Sequence, residues 1–309
     1  MRRASLLALT FLITVSAHAA IDDTMRRGFN VSEGGKLTVN VDVGNVTIVT
    51  GGTGVAVEVV RTARTSDAGR AAEVFREHAV QFAQNGNDVT VTTDWDHDDR
   101  DWFNFGGSPL RNVKFNIRVP ARYSVDVRTS GGNINVSRIN GATELRTSGG
   151  NVTIEGASGD VLVRTSGGNI RIGDVNGIVD ARTSGGNVML ARVGGTVTAR
   201  TSGGNIKIEG SGGAIDASTS GGSIEAAFAT QPRGDSRLST SGGNVRVALA
   251  PNIGAQIDAK SNGGGVRSDV PVTVIGTQKR EQLQGTIGGG GPKLTLRTSG
   301  GGIAIRPLG

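Results

Sequence analysis

The fold of this chain is decided by one motif, Arg146-Thr147-Ser148-Gly149-Gly150-Asn151-Val152, because it recurs at a constant interval. Copies of Arg-Thr-Ser-Gly-Gly-Asn followed by Ile or Val begin at five equally spaced arginines, namely Arg128, Arg146, Arg164, Arg182 and Arg200. Degenerate copies begin at Ser218, Ser239, Lys260 and Arg297. A fixed period is typical of repeat proteins, in which each unit buries its apolar face against the next. The sequence therefore predicts an all-β β-helix, or β-solenoid, with coils of about 18 residues.

Within each unit, apolar residues alternate in two places. Counted from the arginine as position 1, positions 7 and 9 are apolar and positions 16 and 18 mostly so, as at Ile170, Ile172, Val179 and Ala181. Alternation with period two indicates a strand with one buried face, so each coil should contain two short strands. Parity then places the position-2 threonine inside the coil and the arginine and serine beside it outside. The position-6 asparagines should stack in a row at the turn.

Glycines predict the corners between these strands. The Gly-Gly pair at positions 4 and 5 is expected to turn the chain with a positive φ, which glycine adopts at little cost. A further glycine at position 14 indicates a second corner, and a short third side of the coil is an open alternative. With only 8 Phe, 2 Trp and 1 Tyr among 309 residues, the core must be aliphatic and thin, which suits a stack of coils.

The chain before the repeats predicts a first coil that is separated from the other coils by an inserted segment. Residues 36–60 alternate like an imperfect first coil, whereas residues 67–112 are expected to form an inserted helix–hairpin lobe. In that lobe, Ser66 or Asp67 would cap a helix, and Asn85-Gly86 would turn a hairpin. We therefore predict one solenoid domain over residues 21–309, with regular repeats over 125–309. The last long gap, between Lys260 and Arg297, is expected to contain a degenerate coil.

The segment 1–20 is typical of a secretory signal peptide. Arg2 and Arg3 precede an apolar run and then Ala19-Ala20, the expected cleavage site. Removing the leader lowers Lys+Arg from 33 to 31 against 27 Asp+Glu, a mildly basic balance of about +4. There is no cysteine, which excludes disulfides and a lipid-attachment cysteine. No later segment is apolar enough to cross a membrane, so we expect a periplasmic, extracellular or cell-surface protein.

These residues resemble a known family. The Thr-Ser-Gly-Gly-Asn-Ile units, the Val119-Pro120 lead-in, the valine-rich opening and the glycine-rich run before Leu294-Thr295-Leu296-Arg297-Thr298 are similar to the bacterial "putative adhesin" family of unknown function. The resemblance covers nearly all of the chain after the leader, and the 67–112 segment least. It implies a secreted or surface β-solenoid with an adhesin-like role, and it transfers no catalytic residue.

The best candidate binding surface is the row of arginines at position 1. Arg128, Arg146, Arg164, Arg182 and Arg200 should stack about 4.8 Å apart and attract phosphates or acidic glycans. Two residues before each arginine, however, stands a row containing Asp126, Glu144, Asp180 and Asp216, which could neutralise the ladder as exposed ion pairs. Leu162 and Thr198 are the gaps in that row, so we expect anions to dock at Arg164 and Arg200.

Other candidates carry weaker signals. Arg233-Gly234-Asp235 matches an integrin-binding motif in a lengthened unit, although chance alone explains such a tripeptide. The acidic run Asp94, Asp96, Asp98, Asp99 and Asp101 lacks the glycine and glutamate of a calcium loop, so a solvated loop is favoured over a cation site. No catalytic motif appears, and His78 and His97 lie outside the coils.

These observations favour a non-enzymatic binding or structural protein without a cofactor or bound nucleic acid. Its partner would be an anionic glycan or another cell-surface component. A carbohydrate-active solenoid enzyme, either a polysaccharide lyase or a hydrolase, is the alternative, because such enzymes gather acidic and basic side chains on adjacent coils. The oligomeric state stays open.

Overall fold

The computed structural model describes residues 20–93, 110–276 and 279–309. The predicted leader up to Ala19 lies outside these residues, as does the acidic run from Asp94 to Asp101 with His97. Within the described part of the chain, one short helix, α1 (Ala68–Glu77), accompanies two large β-sheets.

Thirteen strands of the described residues form the first sheet. They are β1 (Ile21–Phe29), β3 (Asn45–Thr50), β4 (Val55–Ala63), β7 (Leu110–Val119), β9 (Ile134–Val136), β11 (Val152–Ala157), β13 (Ile170–Val175), β15 (Val188–Val193), β17 (Ile206–Ser211), β19 (Ile224–Phe228), β21 (Val245–Leu249), β23 (Val266–Ser268) and β27 (Ile303–Pro307).

Fourteen strands, again counted over the described ranges, form the second sheet. They are β2 (Lys36–Val41), β5 (Val80–Asn85), β6 (Asp88–Thr93), β8 (Ser124–Thr129), β10 (Thr143–Thr147), β12 (Val161–Arg164), β14 (Val179–Arg182), β16 (Val197–Arg200), β18 (Ile215–Thr219), β20 (Ser236–Thr240), β22 (Ala255–Ser261), β24 (Thr273–Val274), β25 (Gln282–Ile287) and β26 (Lys293–Thr298).

The predicted β-solenoid is confirmed, with two strands per coil. Each coil of the repeat region sends one strand to each sheet, and equivalent strands of successive coils pair in parallel, such as Ile170 with Val188 and Val179 with Val197. The alternating residues point inward and form one thin aliphatic core between the sheets, and Val179 and Val197 are fully buried. Position 12 is the end of the first-sheet strand, as at Val175 in β13, so the coil has two sides and the third side is absent from the regular repeats.

The corner glycines are needed for a reason that we did not predict. None of the Gly-Gly corners in the regular repeats has a positive φ; the glycines that do, among the described residues, lie elsewhere. The second glycine is instead in backbone contact with the coil before it. A Cβ on Gly168 would stand 1.8 Å from the carbonyl oxygen of Gly150, whereas a Cβ on Gly167 would have 3.6 Å to its nearest atom. Close stacking of the turns, and not an unusual conformation, therefore excludes side chains here.

The N-terminal segment completes one end of the solenoid. The predicted first coil exists as β2 and β3, but the hairpin strand β6 pairs with the outer edge of β2, and β7 pairs with the outer edge of β3. Helix α1 has its predicted cap, since the Asp67 side chain accepts a hydrogen bond from the Arg70 amide. The 67–112 segment thus contributes to both sheets, and the inserted helix–hairpin extends the solenoid.

Arg61 on β4 contacts two other elements at this end of the solenoid. Its side chain is 5% exposed, and its Nη1 donates to the carbonyl oxygens of Phe75 and His78 at 2.7 Å each. The same guanidinium is paired with Asp23 on β1 and lies 5.0 Å from the centre of the Phe75 ring. One buried cation thereby links β1, β4 and the end of α1.

The C-terminal end is out of chain order. Strand β26 pairs with β20 on one side and β22 on the other, and β27 lies in the same way between β21 and β23. The last coil in the chain is therefore inserted between two earlier ones. Between Lys260 and Arg297, where a degenerate coil was expected, the chain first forms β23, which pairs in parallel with β27. It then forms β24 and β25, which run antiparallel to their partners and not as a coil. Only the middle of the solenoid follows the sequence order.

Candidate functional site

The predicted arginine row lies on the outward face of the second sheet. Parallel pairing places Arg128, Arg146, Arg164, Arg182 and Arg200 opposite one another in turn, one on each coil. Neighbouring strands of a sheet are about 4.8 Å apart, so these side chains form a continuous ladder along the solenoid axis. An open cleft of about 330 Å³ runs beside its first three arginines, bounded by the Thr-Ser segments that follow them and, at one end, by residues 40–42, which include Asp42.

Acidic side chains neutralise most of the ladder. The ion pairs, by nitrogen–oxygen distance, are Arg128–Asp126 at 3.4 Å, Arg128–Glu144 at 3.6 Å, Arg146–Glu144 at 2.6 Å, Arg182–Asp180 at 2.7 Å and Arg200–Asp216 at 2.6 Å. Ion pairs form both within a coil and between coils, because the row of arginines lies beside the row of acids. Each is partly exposed, so each contributes on the order of 0–1 kcal/mol to stability.

Of the two arginines expected to lack an acidic partner, Arg200 has one and Arg164 has none in the described part of the chain, and anion docking at either stays a prediction. Arg200 is adjacent to the gap at Thr198, but its guanidinium reaches across to Asp216 on the next coil. Arg164 is exposed and, within the described ranges, is the ladder arginine without an acidic partner. Its neighbour in the acidic row is Leu162, which cannot neutralise it. The cleft therefore borders one guanidinium with free donors.

Two hydrogen-bonded rows hold the turn next to the ladder rigid. Thr165 is buried as predicted, and its hydroxyl donates to the Gly150 carbonyl at 2.9 Å and accepts from the Gly168 amide. The stacked asparagines are also confirmed: the Asn151 side-chain oxygen accepts the Asn169 backbone amide at 2.8 Å. The same contacts recur from coil to coil, so the arginine backbones are fixed at constant spacing.

The ladder continues beyond the regular repeats in an order that sequence reasoning missed. After Ser239 come Arg297 and then Lys260, because β26 is inserted before β22. Asp258, with a side chain 17% exposed, binds both Lys293 at 3.1 Å and Arg297 at 2.8 Å. The hydrogen bond from Arg297, with help from Lys293, lowers the pKa of Asp258 below its ordinary value. The signal for two of these residues was the spacing: Arg297 begins a degenerate copy, and Asp258 stands two residues before Lys260, as the acids of the regular repeats stand before their arginines.

The Arg-Gly-Asp segment lies in the connection between β19 and β20. Arg233 and Asp235 are exposed, and Gly234 is half-buried. The Asp235 carboxylate accepts the backbone amide of Lys293 at 2.8 Å, at the first residue of β26. Recognition through Arg233-Gly234-Asp235 stays a prediction, and Asp235 also helps to seat the inserted C-terminal coil.

The described residues contain no group of three or more His, Cys, Asp or Glu side chains placed to hold a metal ion. They also contain no helix with the length and apolar character of a membrane span.

The sequence profile of the Toastrack DUF4097 family matches residues 34–306, which is most of the chain. The chain belongs to this family. Matching solved structures include a "putative adhesin" from Bacteroides fragilis, with 14% identity, 93% of this chain and 97% of that chain covered, and a TM-score of 0.40. A "putative adhesin" from Parabacteroides merdae has 11% identity, coverage of 93% and 96%, and a TM-score of 0.42.

A further similar structure is described as a "putative lipid binding protein" from Parabacteroides distasonis, with 12% identity, coverage of 93% and 97%, and a TM-score of 0.42. A comparison with curated proteins found no match. The resemblance to adhesin-like solenoids of unknown function, inferred above from the repeat motif, is thereby confirmed.

Proposed function

We propose that this member of the Toastrack DUF4097 family is an exported, non-enzymatic solenoid that binds acidic polymers of a cell surface through its arginine ladder. The observation that carries the proposal is the exposed guanidinium of Arg164, which borders an open cleft and has no acidic partner in the described part of the chain. A guanidinium offers paired donors to carboxylate, sulfate and phosphate groups. The paired arginines on either side can exchange their exposed acidic partners for such a ligand.

A binding role suits the ladder better than catalysis. A carbohydrate-active enzyme requires a carboxyl group that is free to give or take a proton. On this face the carboxylates of Glu144, Asp180 and Asp216 are each held by an arginine. Their arrangement supports a rigid, charged surface that meets an extended partner.

Heparin binding by purified protein at several salt concentrations tests the ladder. The variant Arg164→Ser should weaken binding and reduce the salt dependence of log K by about one, since one fewer cation releases a counterion. Arg70→Ser is the matched control, because Arg70 is also exposed and lies on α1, away from the ladder. If both variants lose equal affinity, or if the parent fails to bind at low salt, the proposal is wrong.

Export is proposed from the leader-like segment 1–20, and it has a separate test. The protein isolated from the envelope or the medium of the producing cell should begin at Ile21 when its N-terminus is sequenced by mass spectrometry. A cytoplasmic protein with the leader intact would contradict export, whatever the heparin measurements show.

A further inference from the structure

A groove of about 610 Å³ crosses the outer face of the first sheet, on the side of the solenoid opposite the arginine ladder. Its floor is the row of outward side chains at position 8, in the order Arg171, Met189, Lys207, Glu225 and Arg246. Its wall is the row of stacked asparagines, from Asn169 to Asn205, ending at Ser223. The groove therefore follows the solenoid axis over four coil spacings, roughly 19 Å in all.

The charges in this groove favour an anion. Arg171 and Arg246 are exposed, and neither has an acidic partner among the described residues. Glu225, the acid of the floor, is neutralised by Arg306 at 2.6 Å. Lys207 lies between the two free arginines and is paired with Glu209 at 2.9 Å, and that hydrogen bond raises the pKa of Lys207 and keeps it protonated. The two ends of the groove are therefore positive, and its middle is close to neutral.

The rest of the lining is suited to a sugar. Met189 is 37% exposed in the floor and offers a polarizable apolar contact. Each wall asparagine uses its side-chain oxygen and one amide hydrogen along the row, as where Asn187 donates to Asn169 at 3.2 Å. The second amide hydrogen takes no part in a hydrogen bond within the described residues and is available to a hydroxyl or carboxylate. Because the row fixes the orientation of each amide, these donors are preorganised.

We propose that this groove binds one extended strand of an acidic polysaccharide, with uronate carboxylates on Arg171 and Arg246 and a pyranose face on Met189. A guanidinium binds a carboxylate through two parallel hydrogen bonds, which suits the two ends. The asparagines recur once per coil, about 4.8 Å apart, so successive units of an extended chain meet successive donors. The site is separate from the arginine ladder and goes beyond the function proposed for it.

Calorimetric titration of the full chain with a galacturonate hexamer, and with polyphosphate of equal charge, tests the groove. The double variant Arg171→Ser plus Arg246→Ser should bind the hexamer at least about tenfold more weakly, since two charge-assisted contacts are lost. Arg64→Ser plus Arg70→Ser is the charge-matched control, because both arginines are exposed and lie outside the groove and the ladder, and it should bind the hexamer like the parent. If it loses as much as the groove variant, the effect is one of net charge and the groove is not the site.

Met189→Thr separates a sugar site from a merely positive surface. Threonine suits an exposed strand position and changes no charge, so the fold should remain intact. The variant should bind the hexamer about threefold more weakly and polyphosphate as well as before. An unchanged affinity of Met189→Thr for the hexamer, or an equal loss of affinity for both probes, would overturn the assignment to a polysaccharide. The arginine ladder could still bind heparin in that case, so the two proposals fail independently.

Discussion

Replacing Gly168 by alanine is the sharpest test of how the coils stack. The added Cβ would meet the Gly150 carbonyl oxygen at 1.8 Å, its carbon at 2.4 Å and the Asn151 nitrogen at 2.8 Å. All three atoms belong to backbone, which cannot rotate away, so the coils must separate locally by about 1 Å or more. The hydrogen bonds across this junction lie at 2.8–2.9 Å, namely Thr165 to Gly150 and Asn169 to Asn151. These hydrogen bonds would lengthen beyond the distance at which they stabilise the fold.

The magnitude follows from these contacts. Two or three hydrogen bonds at about 1 kcal/mol each, plus an overpacking cost of about 1–3 kcal/mol, predict a loss of about 3–6 kcal/mol for Gly168→Ala. Gly167→Ala is the matched control, because its Cβ would have 3.6 Å to the nearest atom. It should change stability by less than about 1 kcal/mol. Urea unfolding followed by circular dichroism measures both variants, and similar midpoints for the two would refute the stacking argument.

Two further predictions concern the C-terminal end. Asp258→Asn should lower the free energy of unfolding by about 1–2 kcal/mol at pH 7, and the difference should shrink as the pH falls from the ordinary value of 3.8 through the lower folded-state pKa. The sign follows because the folded-state pKa of Asp258 is lowered, so the ionised carboxylate stabilises the fold above the ordinary pKa and loses this effect in acid. Urea unfolding of both proteins at several pH values from 7 down to 3 measures the difference, and a difference that stays constant would contradict the prediction. Deleting residues 293–309 removes β26 and β27 from between earlier coils and should abolish a single cooperative unfolding transition, whereas deleting Gly309 alone should not. A truncated chain that unfolds like the parent would show that the inserted coil is dispensable.

Much of the repeat region could be predicted from the sequence because its structure is local and repeated. The alternation at Ile170 and Ile172 determines which side chains enter the core, and the buried Thr165 follows from the same parity. The stacked asparagines follow from the period, since equal spacing brings equal residues together. Because each coil of the regular repeats packs against a nearly identical coil, the pattern of one unit predicts the contacts of the next.

The candidate site was predictable only in part. The ladder arginines and their acidic row could be placed from spacing, but the pairing of Arg200 with Asp216 could not, because a long side chain can reach either adjacent coil. The groove on the first sheet was not recognised. Arg171, Met189 and Arg246 stand in different repeats, at a position where the residue type varies and no motif is visible.

What the sequence determined by itself is the coil: its length, its two strands, its inward threonines and its row of asparagines. What only the tertiary structure decided is how the coils meet. The role of Gly168 depends on the distance to the next turn, which no single coil contains. The order of the coils at both ends depends on competition between sheet edges. Parallel strands with the same alternation offer nearly the same hydrogen bonds, so β27 can take a place beside β21 that chain order would give to β23.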